Sequence, residues 1–266
     1  MSTAFLADIR DTVLPDRDGR HGPLPPLLLS MTLVTGLVDA FSYLVLGHVF
    51  VANMTGNVVF LGFALAGAPG FSIAGSLTAV ASFALGALFG GKLGSRHRDH
   101  RGHLHSSAAA LQGVFLAASV ILAAASGSPV ASGYHYALIT ALGISMGIQN
   151  AAARRIAVPD LTTTVLTLTI TGIAADSTIA GGSGSKAGRR GLAVGVMLAG
   201  ALLGAVLIRH AQAYYPLAIA LAVTIIGALT SRILGQPNAG WVHPAGPAPA
   251  PVSDTPPHPV ATGGKR

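Results

Sequence analysis

Eight apolar segments dominate this chain, at roughly residues 27–46, 49–67, 71–91, 107–126, 134–153, 156–174, 191–208 and 213–231. Each is close to the about 20 apolar residues that a helix needs to cross the hydrocarbon core of a bilayer. Only 9% of the residues are charged and the mean hydropathy is +0.63, whereas a soluble domain is about one quarter charged. The segments predict an all-α polytopic membrane protein whose partner is the lipid bilayer. Gly is abundant, at 34 residues, and small residues let helices approach closely where no water-driven force holds them together. Residues 1–26 are expected to form a cytoplasmic N-terminal segment, 27–232 the transmembrane domain, and 233–266 a disordered Pro-rich tail.

The second segment is the anomaly. Within "VFVANMTGNVVFLG" (49–62), Asn53, Thr55, Gly56 and Asn57 interrupt an otherwise apolar run. The sixth segment repeats the anomaly with Asp160, Thr162, Thr163 and Thr164 in "VPDLTTTVLTL". Sliding the chain by 107 residues lays one cluster over the other, with Gly36 on Gly143, Thr55 on Thr162 and Asn57 on Thr164. At an offset of 114, "LGALFG" (85–90) falls on "AGALLG" (199–204). These matches predict an internal repeat, with halves at about 27–126 and 134–232.

Charge decides how the halves lie. If all eight segments cross, Lys and Arg divide nine to seven between the two faces. If the second and sixth segments instead enter and leave on one face, 15 of the 16 lie inside and only Arg209 lies outside. Cytoplasmic loops are the ones enriched in Lys and Arg. The expected architecture is therefore six transmembrane helices plus two re-entrant strand/half-helix segments, both termini cytoplasmic. Three crossings per half make the repeat inverted. Residues 49–53 as an extended strand reach the mid-membrane, and 54–66 return as a helix. Asn53 is placed to cap that helix, and Asp160 to cap its counterpart. Broken helices at corresponding positions of inverted halves are the best sequence pointer to a transporter's binding site.

Asp39 lies deep in the first segment, where an ionisable group is costly and marks function by default. Gln149 and Asn150, in the fifth, line the same cavity or bond between helices. Arg154 and Arg155 read as a cytoplasmic anchor. His97, His100, His103 and His105 form a tract in a basic loop, without Cys or Glu to complete a metal site; no metal and no cofactor are expected. No nucleophile with a base and an orienting group is recognisable, so no enzyme is expected. The net charge of +7 is explained by cytoplasmic loops rather than by nucleic acid. The pairs Gly86/Gly90, Gly191/Gly195 and Gly200/Gly204 permit close contacts within the bundle, or a homo-oligomer.

The stretches "GLVDAFSYLVLGHVFVANMTGNVVFLG" and "GISMGIQNAAARRIAVPDLTTTVLTLTITG" resemble the YoaK-type family of bacterial membrane proteins, domain of unknown function 1275. The likeness covers about residues 27–232. It implies a bacterial inner-membrane protein and brings no established activity. The functional expectation rests on the residues: a transporter or channel for a small solute, an anion or a polar neutral molecule. Its substrate would be held by Asp39, Asn53, Thr55, Gly56, Asn57, Gln149, Asn150, Asp160, Thr162, Thr163 and Thr164. The alternative is a scaffold or regulator in which the polar centres only cap kinked helices.

Overall fold

The computed structural model of the protein describes residues 3–16, 19–127, 130–161, 163–164, 166–177, 180–182 and 186–243. These form α1 (Thr3–Val13), α2 (Leu24–Val45), α3 (Met54–Leu65), α4 (Ile73–Arg96), α5 (Arg101–Ser126), α6 (Ser132–Ile156), α7 (Leu166–Ala175), α8 (Ala187–His210) and α9 (Tyr215–Leu234), followed by a short 3-10 turn at Gly240–Val242. Five of these, α2, α4, α5, α8 and α9, are long and apolar enough to cross a membrane. They carry large side chains outward, among them Leu88, Leu198, Leu202 and Ile226, each more than 60% exposed. Such a continuous apolar exterior is a lipid-facing surface, and the protein is a polytopic helical membrane protein.

α6 has 25 residues, a length of about 37 Å at 1.5 Å per residue, yet it is less apolar than the five. The reason is its position. Residues 142–149 are buried without interruption, so its inward face can hold Ser145 and Gln149. Gln112 of α5 donates to Gln149 Oε1 at 2.7 Å, and Gln149 donates to Thr35 Oγ1 of α2 at 2.9 Å. These bonds tie three helices together at the centre of the bundle.

α2 packs chiefly on α8, and α4 chiefly on α6. Both crossings are built on glycine. A Cβ at Gly36 would collide with Met197 O and lie 2.8 Å from Ala201 N. A Cβ at Gly147 would collide with Phe83 O and lie 2.7 Å from Ala87 N. The two crossings also agree on the other side: Gly200 lies over Leu33 O and Gly86 over Ile144 O, while Gly204 meets Ala40 Cβ and Gly90 meets Ala151 Cβ. Matching contacts thus pair Gly36 with Gly147, and "GLVDA" (36–40) with "GIQNA" (147–151). That is one helical turn beyond the expected pairing of Gly36 with Gly143.

Other expectations change as well. There is no strand among the described residues. Residues 49–53 are non-helical, but a lone extended segment has no neighbour to pair with, and its N–H groups go to side chains instead. The His tract is not a loop: His103 and His105 lie in the first turns of α5, and His100 caps it, its Nδ1 accepting from His103 N at 3.0 Å. The 1–26 segment contains α1, which packs on α8. The expected tail begins in order, since Trp241 is only 2% exposed and Arg101 Nε donates to its carbonyl at 2.9 Å. Residues 244–266 lie outside the described residues.

Candidate functional site

Two hairpins follow the central helices. The first runs through 46–53 into α3, and the second, described at 157–161 and 163–164, leads into α7. In the first, Asp39 Oδ1 accepts from Val51 N at 3.2 Å and from Ala52 N at 3.0 Å. Asn57, fully buried, accepts from Phe50 N at 3.0 Å and donates to Phe50 O at 2.5 Å. Asn53 caps α3 by accepting from Gly56 N at 3.4 Å. Side chains therefore satisfy backbone groups that lipid could not. Gly56 is glycine because the Phe50 ring lies on the first turn of α3, 2.8 Å from where a Cβ would stand. Phe50 also stacks with Tyr43 (4.9 Å) and Phe60 (5.7 Å), and Phe60 meets Phe71 (5.1 Å).

The second hairpin is built differently. Ala157, Asp160 and Thr163 all have left-handed backbone, with φ of 53°, 67° and 60°. Thr164 Oγ1 donates to Asn150 Oδ1 in a short hydrogen bond. Asp160 lies six residues before α7 and does not cap it. Its carboxylate is taken by Arg190 of α8, with Nε at 2.8 Å and Nη2 at 2.7 Å. The capping expected of Asp160 fails because α7 starts five residues later than the offset of 107 implies. Thr163 is buried and its Oγ1 has no hydrogen-bond partner among the described residues. Thr162 lies outside the described residues.

Between the hairpin ends lies a cavity of about 580 Å³, within the usual scale of a ligand pocket. Asn53, Thr55 and Gly56 line it from one hairpin, Thr164 from the other, and Asn150 from α6. Phe83 of α4, Met197 of α8 and Leu166 and Thr167 of α7 complete it, together with Ala52 and apolar residues of α3. Asp160, Thr163, Asn57 and Gln149 do not line it: the last two are structural braces.

Two further cavities adjoin it. One, of about 400 Å³, is lined by Asp39, Tyr43, Phe50, Asn53 and Met197. The other, of about 690 Å³, is lined by Asn150, Arg154, Leu161, Thr164 and Phe83. In the register set by the glycine crossings, these are the same five positions of the two halves. Phe83 and Met197 were not singled out in the sequence. Their signal is that each stands three residues before a glycine of its crossing helix (Gly86 and Gly200).

The chain matches the family described as "Protein of unknown function (DUF1275)" over residues 27–230. It belongs to that family. Among curated proteins it is similar to the UPF0700 transmembrane protein YoaK of Bacillus subtilis (strain 168), 35% identical over 151 residues. That alignment covers 56% of this chain and 65% of the relative's length. No solved structure matches the chain. Membership in the DUF1275 family agrees with the resemblance read from the two hairpin stretches, and it leaves the activity to be argued from the cavity.

Proposed function

We propose that this DUF1275 protein is a non-catalytic transporter or channel for a small solute, an anion or a polar neutral molecule. In this reading α2, α4, α5, α6, α8 and α9 cross the inner membrane of a bacterium. The segments around 49–67 and 156–174 re-enter from one face each, the two halves are inverted, and both termini are cytoplasmic. The agreement of the two glycine crossings supports the repeat, and the placement of 15 of 16 basic residues on one side supports the topology.

The observation that carries the transport reading is the cavity of about 580 Å³ between Asn53 and Thr164. A scaffold needs no space there. The ligand groups are hydroxyls and amides, joined by the positive end of the α3 dipole, and no charged side chain lines the cavity. This set suits a small anion or a hydrogen-bonding neutral molecule. Asp39, in the adjoining outer cavity, is placed for coupling to protons.

The test compares solute uptake of a deletion strain with its parent across a metabolite panel. It then repeats the comparison with Thr164→Leu and Asn53→Leu, which fill the cavity. Loss of one solute's uptake on deletion, and again with the filled cavity, supports the reading. Equal uptake of every solute by all strains rejects it. Topology is read separately with single cysteines at Gly67 and His97: an impermeant thiol reagent should label the first from outside and not the second.

A further inference from the structure

The two hairpins share a register but not a fastening. The first is held by Asp39 on two backbone N–H groups, by Asn57 on both polar groups of Phe50, and by a stack of aromatic rings. At its base Val49 packs against Gly75, beside Ser76. The corresponding place in the second half is ionic. Asp160 stands where Val49 does and Arg190 where Ser76 does. Arg190 reaches Asp160 at 2.7 Å with Nη2 and Asp176, at the end of α7, at 2.7 Å with Nη1. One guanidinium thus spans the hairpin from its descending segment to the far end of its helix. It lies against Gly172, where a Cβ would come within 2.6 Å of Cζ.

Between the central cavity and the Arg154 cavity stand three residues common to both: Phe83, Asn150 and Thr164. The hydroxyl of Thr164, on the second hairpin, bonds to Asn150 at the boundary between the two cavities. Thr164 is four residues from Asp160. The three left-handed residues in this hairpin are costly conformations that persist only where surrounding contacts impose them. Remove the ionic contact, and the strained segment is free to relax and draw Thr164 from Asn150.

We infer that the passage toward Arg154 is the one that opens, and that Arg190, bonded to Asp160 and Asp176, is the latch that holds it shut. The first hairpin stays in place during this step. The inference rests on the transport reading only for its purpose: the opening itself is a property of the protein without solute.

The chain has no cysteine, so a single reporter is clean. Leu161→Cys places a thiol at a 2% exposed position of the second hairpin, beside Asp160, and Val51→Cys places one at a fully buried position of the first hairpin, outside the lining of the three cavities. Both are labelled with a maleimide in purified protein. Arg190→Gln is expected to raise the Leu161→Cys labelling rate at least tenfold and leave the Val51→Cys rate unchanged. Exchanging the charges, Asp160→Arg with Arg190→Asp, is expected to bring the rate back down. Raising salt from 0.1 to 1 M, which shortens the Debye length from about 10 to 3 Å, should speed Leu161→Cys labelling with the native ion pair intact. The salt arm decides alone where Arg190→Gln does not fold. Leu161→Cys labelling indifferent to both changes overturns the latch, as does a parallel rise at Val51→Cys, which is general loosening. No solute is needed, so a latch that behaves as expected while no uptake is found removes the transport reading alone.

Discussion

Asp39 and Asn150 stand at the same point of their helices, each three residues past a glycine that touches the crossing helix, and each holds the hairpin that follows it. Asp39 accepts from two backbone N–H groups and Asn150 from one hydroxyl. The carboxylate therefore has a structural task whatever else it does. Asp39→Ala strands two N–H groups, at about 1–3 kcal/mol for each buried group left unpaired, and should lower thermal stability in detergent by several degrees or abolish folding. Asp39→Asn keeps an acceptor oxygen and should fold. If proton coupling is real, uptake by Asp39→Asn persists but loses its dependence on external pH. Equal stability of the Ala and Asn variants would contradict the hydrogen-bond assignment.

The glycine crossings predict a sharp contrast. Gly36→Leu and Gly147→Leu each drive a side chain into a backbone carbonyl of the opposing helix. Neither can be relieved by a rotamer change, and both should prevent accumulation of folded protein. Gly62, in α3, has nothing within 4 Å of its Cβ position. Gly62→Ala should stabilise by about 0.5–1 kcal/mol, the usual gain over glycine in a helix interior. Thermal unfolding of the purified variants checks both signs.

Asn53 and Thr164 face one cavity from two hairpins, whereas Asn57 does not line it. Asn53→Ala and Thr164→Ala should each weaken solute binding by one to two powers of ten, from about 1–3 kcal/mol per lost buried hydrogen bond. The double variant should lose less than the sum, because groups sharing a ligand are coupled. Asn57→Ala should lower stability and leave binding per folded molecule unchanged. Strict additivity of the first pair in binding would dissolve the shared site.

At the end of the bundle that carries the His tract, burial lowers the pKa of His100 below its ordinary 6.5, with the charge of His103 acting in the same direction. His97 is lowered by the same two causes and by Arg96. A group whose folded pKa is depressed binds fewer protons folded than unfolded. Its contribution to stability is therefore full above about pH 6.5 and is lost as pH falls below it. Melting temperature should drop between pH 7.5 and 5.5. His100→Asn keeps a cap for α5 and should flatten that slope. A slope unchanged by this substitution would assign it to other groups.

Much of this was legible in the residues. The apolar runs gave the helices, and the clusters at 53–57 and 160–164 marked the hairpins, because polar groups in lipid must serve irregular backbone. The likeness of the two clusters was visible, but the register in which their helix contacts match was not. Small residues recur every three or four positions in these helices, so a slip of one turn still lays Gly on Gly, as with Gly143 for Gly147. Only the carbonyls beneath Gly36 and Gly147 separate the two alignments. The same slip placed Asp160 at a helix start it does not reach. Its pairing with Arg190, 30 positions away, is a tertiary fact that neither residue's neighbours announce. The aromatic packing that makes the first hairpin rigid was equally hidden, since Tyr43, Phe60 and Phe71 converge from different elements.

The main partners of α2 are α8 and α9, and those of α4 include α6. Each half of the chain therefore completes itself on the other. During synthesis, the first three long helices emerge without the surfaces they are shaped to meet, and the glycine seam of Gly36 stays open until Gly200 has left the ribosome. The insertion machinery, or lipid, must hold these helices apart in the meantime. A protein truncated after residue 126 is then not a smaller version of this one, but a set of inserted helices awaiting partners, and a natural substrate for membrane proteases.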